Sequence, residues 1–119
     1  MLKIFKPCDF HVHLREGQLL KYVLKENNKN FQKILVMPNL IKPITNKNIL
    51  SKYRSFVLNN NNNTEILFTI YLNQDCSIID LKNMVYEKLF SSVGPRGGRS
   101  YRATSQAPPL CNYIYYIYI

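Results

Sequence analysis

Ile34-Leu35-Val36-Met37, closed by Pro38, is an unbroken apolar run with no polar alternation. A strand with one solvated face alternates apolar and polar residues, whereas a strand covered on both faces does not. The run therefore reads as a buried strand of a parallel sheet. Its neighbours must supply the covering helices. Upstream, Leu19-Leu20-Lys21-Tyr22-Val23-Leu24 has apolar spacing suited to a helix that runs toward Asn28. Upstream again, residues 5–14 read as a first strand, and Gly17 supplies the turn between them. Downstream, Thr45 or Asn46 can cap a helix over residues 47–58, with Ile49, Leu50, Tyr53 and Val57 on one face. Glu65-Ile66-Leu67-Phe68-Thr69-Ile70-Tyr71-Leu72 reads as a third buried strand. Ser77 or Asp80 can start a third helix, reaching Leu89 or Phe90 through Ile79, Met84, Val85 and Leu89. The asparagine run of residues 59–63 reads as a solvated loop. The order βαβαβα predicts an α/β fold, a parallel sheet with right-handed crossovers.

Composition narrows the function classes. The chain has 119 residues, 46% of them hydrophobic, enough for one domain with a modest core. No apolar run approaches the roughly 18 residues of a membrane helix. Residues 1–6 have neither the apolar stretch nor the cleavage site of a secretory signal. Cys8, Cys76 and Cys111 are odd in number and far apart, which argues against a disulfide framework and fits a reducing cytoplasm. Cys8 reads as a small buried strand residue. The net charge of +9 raises the question of nucleic acid, yet the eleven lysines are spread singly along the chain. No interleaving of aromatic and basic residues accompanies them, so nucleic acid is not the expected partner.

The chemistry concentrates in Asp9-Phe10-His11-Val12-His13-Leu14-Arg15. Histidines at i and i+2 of an extended segment share one face. Two imidazoles on one face make a half-site for a divalent ion such as zinc. Arg15, two residues on, could hold an anionic substrate against that ion. Asn39 follows the second strand, so the candidates gather at the C-terminal ends of strands, where α/β proteins keep their sites. Asp9 can stabilise the strand end or support a histidine, and Glu16 reads as solvated.

Asp9-Phe10-His11-Val12-His13-Leu14-Arg15-Glu16-Gly17, with Val36-Met37-Pro38-Asn39-Leu40 downstream, resembles the bacterial-type dihydroorotases of the amidohydrolase superfamily. Lys42-Pro43-Ile44-Thr45 and Tyr71-Leu72 also sit where that family has similar residues. The resemblance spans residues 4–93 and implies the N-terminal portion of a (β/α)8 TIM-type barrel. It implies that His11 and His13 ligate the more buried ion of a zinc pair, and that Arg15 and Asn39 bind the substrate carboxylate. The implied reaction is the reversible cyclisation of N-carbamoyl-L-aspartate to L-dihydroorotate in pyrimidine synthesis. Zinc there activates water and polarises the amide carbonyl. A homodimer is common in the family. A hydantoinase-like or allantoinase-like amidohydrolase, or a small basic binding protein without enzymatic activity, is the alternative.

The chain departs from that pattern after Val93. The family places a bridging carboxylated lysine at the end of the fourth strand, and here Gly94 follows Val93. No lysine follows Lys88, no third histidine exists, and no aspartate follows Asp80. From Gly94 onward there is no Lys, Asp or Glu, while three of the four glycines lie there. Residues 1–93 are therefore expected to be the front of an amidohydrolase barrel. Residues 94–119 are expected to be an unrelated or frame-shifted irregular tail, with Tyr113-Ile114-Tyr115-Tyr116-Ile117-Tyr118-Ile119 as a β-prone end. Such a chain is expected to be truncated and inactive alone, with an open sheet edge.

Overall fold

The computed structural model describes residues 3–74 and 76–94. The elements follow in the order β1 (Cys8–Val12), α1 (Gly17–Asn30), β2 (Lys33–Val36), α2 (Lys47–Asn59), β3 (Glu65–Tyr71), α3 (Ile78–Tyr86) and β4 (Ser92–Gly94). The strands form one sheet in the order β1-β2-β3-β4, and each neighbouring pair is parallel. The alternation expected from the sequence is present, with β4 added beside β3. Of the tail expected over residues 94–119, Gly94 belongs to β4 and the rest lies outside the described residues.

The apolar run of β2 sits centrally, paired to β1 on one side and β3 on the other. Ile34, Leu35 and Val36 are all buried, as a strand covered on both faces requires. Ile34 and Val36 join Val12, Leu14, Phe68 and Ile70 in the core, against Leu20 and Leu24 of α1 and Leu50, Tyr53 and Val57 of α2. Each large side chain buried in this way contributes about 1.5–3 kcal/mol relative to exposure. The ion pairs Lys29–Glu26, Lys33–Glu65 and Lys47–Glu87 lie on the surface, where such pairs contribute little.

Helix ends follow local chemistry. Asn46 is the N-cap of α2, its side chain accepting a hydrogen bond from the Ile49 N–H at 3.0 Å. Ser77 caps α3 in the same way, through the Asp80 N–H. The α1 N-terminus has no side-chain cap and begins instead at Gly17, whose φ of +59° lies in the left-handed region.

Five sequence expectations change. The third helix ends at Tyr86 rather than at Leu89 or Phe90, and Lys88 just beyond it takes a left-handed φ of 52°. The first strand covers residues 8–12 rather than 5–14, and Ile4 and Phe5 are exposed. It ends at Val12, and the left-handed φ of 65° at Arg15, three residues on, turns the chain away from the strand direction. Cys8 is exposed rather than buried, because β1 is an edge strand. Ile79 is 71% exposed, and α3 turns Met84 into the core with Leu81 and Val85 packed beside it. The asparagine run is only partly a loop. Asn59 ends α2, Asn60 caps it, and the Asn61 amide donates to the Thr64 carbonyl at 2.8 Å.

Candidate functional site

The site begins with an irregularity in β1. Asp9 pairs with Ile34 and Val12 with Val36, so β1 carries one extra residue between those points. Bulges of this kind re-aim side chains beside functional sites. Beyond it, Val12 and Leu14 point into the core, while His11 is exposed and His13 half-buried. The alternation places both imidazoles on the opposite side from that apolar pair. The Met37 N–H donates to the Val12 carbonyl at 2.8 Å, which holds the end of β1 against β2.

The two rings meet edge to face, with centroids 5.1 Å apart, and their Nε2 atoms are 3.2 Å apart. Zn–N bonds of about 2.0–2.1 Å in a tetrahedral shell separate neighbouring nitrogens by about 3.3 Å. The pair therefore fits two adjoining positions of a zinc shell. Among the described residues, no cluster of three or more His, Cys, Asp or Glu side chains stands ready to complete it.

The surroundings of His13 favour its neutral, metal-binding form. Burial, then the Arg15 guanidinium, then His11 push its pKa below the ordinary imidazole value. A hydrogen bond from His13 to the Asn39 side chain opposes this. Asn39 thus reaches the His13 ring rather than standing free for a substrate. An amide has several hydrogen-bonding positions, so it can hold the ring and still offer an N–H outward. Asp9 supports His11 through the backbone: its carboxylate accepts from the His11 N–H at 3.0 Å, and not from the ring.

Arg15 does not continue the strand face, because its positive φ turns the chain there. The guanidinium nevertheless lies close enough to act on His13. Two contacts fix the bend. The Tyr53 hydroxyl donates to the Arg15 carbonyl at 3.0 Å, and the Glu16 carboxylate accepts from the Ile41 N–H at 3.1 Å. The second ties the loop after β1 to the loop after β2. Sequence reasoning read Tyr53 only as a core residue and Glu16 only as solvated. A buried tyrosine hydroxyl needs a partner, which was the available signal for Tyr53.

No family model matches the chain. A dihydroorotase of Helicobacter acinonychis (strain Sheeba) is 34% identical over 97 residues, which cover 81% of this chain and 29% of that protein. The crystal structure of dihydroorotase from Saccharomyces cerevisiae in complex with 5-fluoroorotic acid superposes with a TM-score of 0.68 at 27% identity, covering 73% of this chain and 24% of that one. Dihydroorotase from Campylobacter jejuni superposes with a TM-score of 0.65 at 27% identity, covering 74% of this chain and 26% of that one. The chain spans less than a third of the length of the curated relatives it matches. Among the described residues, no helix is long and apolar enough to cross a membrane.

Proposed function

We infer that this chain, a relative of the dihydroorotases in sequence and in fold, supplies the histidine and carboxylate-binding portion of a dihydroorotase site. The reaction is the reversible cyclisation of N-carbamoyl-L-aspartate to L-dihydroorotate. The observation that carries this reading is the 3.2 Å approach of the His11 and His13 Nε2 atoms, with Arg15 and Asn39 both acting on His13.

His11 and His13 would hold one zinc ion. When bound, zinc supplies Lewis-acid polarisation of the amide carbonyl and an acidified water. The chain's own residues position the substrate. The Arg15 guanidinium, always charged, pairs with the substrate carboxylate, and the Asn39 amide donates to it from the other loop. That arrangement suits a small molecule bearing a carboxylate, and the 5-fluoroorotic acid bound by the yeast protein is one. The lysine, histidines and aspartate that complete the family's site are to be supplied by the remainder of a barrel. A cytoplasmic location agrees with Cys8 and Cys76, both free. A homodimer of the complete protein belongs to the same reading, as does a tail after residue 93 foreign to the barrel.

The test is a complete barrel that carries residues 1–93 as its N-terminal portion, assayed for interconversion of carbamoyl-aspartate and dihydroorotate beside a hydantoin that lacks the carboxylate. Activity on the first pair, abolished by His11→Ala or His13→Ala, is the expected result. Preference for the hydantoin would overturn the roles of Arg15 and Asn39. Unchanged activity in the histidine variants would overturn the site.

A further inference from the structure

We propose that Tyr53 is a positioning residue that holds Arg15 in its left-handed bend and so aims the guanidinium at the substrate carboxylate. The aim rests on the function proposed above; the backbone half of the inference does not.

Arg15 has a φ of 65°, in the left-handed region that disfavours any residue carrying a Cβ. Something must keep the chain there. Beside it, Glu16 is extended, with φ −138° and ψ 165°, and is tied through its carboxylate to the Ile41 N–H, while Gly17 is again left-handed; the contact on the Arg15 carbonyl itself comes from further away. The Tyr53 hydroxyl donates to the Arg15 carbonyl from α2, 38 residues further along. A hydrogen bond at that carbonyl fixes the plane of the peptide between Arg15 and Glu16, and with it the backbone angle that decides where the Arg15 side chain emerges.

Tyr53 is itself anchored. It is 8% exposed, and its ring meets Phe68 of β3 edge to face, with centroids 6.5 Å apart. Burial and the nearby Glu16 carboxylate push its pKa above the ordinary tyrosine range, so the hydroxyl keeps the proton it donates. The orientation of Arg15 is thereby referred to the sheet rather than to its own loop. Second contacts of this kind hold functional side chains in place.

The experiment uses the full chain as wild type, Tyr53→Phe and Arg15→Ala. The first readout is the HN–Hα coupling and Cα shift of Arg15 by NMR. Lys88 serves as the control, since it also has a positive φ (52°) and lies outside the Tyr53 contact. Loss of the left-handed signature at Arg15 with Lys88 unchanged is expected. A retained signature at Arg15, or equal loss at both residues, overturns the inference. The second readout is 19F NMR titration with 5-fluoroorotate. Weakening by about tenfold in both variants supports the aiming role. Weakening in Arg15→Ala alone overturns that role and leaves the carboxylate reading standing. No weakening in Arg15→Ala overturns the carboxylate reading, while the backbone readout still decides the role of Tyr53. Should Tyr53→Phe fail to fold, the double variant Arg15→Gly/Tyr53→Phe is expected to recover, because glycine takes the bend unaided. Continued failure overturns the inference.

Discussion

The Glu16 carboxylate accepts a hydrogen bond from the Ile41 backbone N–H at 3.1 Å, tying the loop that carries Arg15 to the loop that carries Asn39. One acidic side chain thus spans two strand ends. Glu16→Ala is expected to cost about 0.5–1.5 kcal/mol, the usual worth of one hydrogen bond. Amide hydrogen exchange should speed up at Ile41 and its neighbours but not in β2. Unchanged exchange at Ile41 would show that the link does not hold the loops together.

The histidine pair should bind zinc or cobalt at one ion per chain, weakly, because two imidazoles fill only half a tetrahedral shell. His11→Ala and His13→Ala should each weaken that binding by about tenfold or more. Calorimetry or the cobalt visible spectrum reads the change. Equal affinity in wild type and both variants would remove the half-site.

Acid should destabilise the fold through His13. Its folded-state pKa lies below the unfolded value of 6.5, so the unfolded chain binds the proton more readily. The contribution is fully present above the unfolded pKa and is lost as pH falls through the lower folded pKa. Denaturation midpoints should therefore drop on acidification below about 6.5, and His13→Gln should flatten that slope. A variant with the wild-type slope would place the acid sensitivity elsewhere.

Arg15→Gly should raise stability by up to about 1 kcal/mol, since glycine occupies the left-handed region without penalty. The same change removes the guanidinium and should abolish carboxylate binding. A stabler protein that no longer binds 5-fluoroorotate would mark Arg15 as a residue kept for function. A destabilised variant would mean that the bend is not strained.

Packing predictions separate core from cap. Leu24→Ala, at a fully buried position, should cost about 2–5 kcal/mol. Asn46→Ala should cost about 1 kcal/mol, as loss of an N-cap does. Urea midpoints measure both. A smaller loss for Leu24→Ala than for Asn46→Ala would contradict the placement of α1 against the sheet.

The alternation of strands and helices, the parallel sheet and the histidine pair were all legible in the residues. Period, capping and apolar runs are local properties, and Ile34-Leu35-Val36 or Asn46 declare theirs without distant help. The sequence by itself also determined that His11 and His13 share a face, because pleat geometry has a period of two. Only the tertiary structure decided where that period ends. The left-handed Arg15 depends on a hydroxyl from Tyr53, 38 residues away, and the tie between the two loops depends on Glu16 reaching Ile41. The exposure of Cys8 and Ile79 depended on which strand lies at the sheet edge and which way α3 faces. Contacts between distant segments carry no local period, so they appear only once the chain has folded and brought them together.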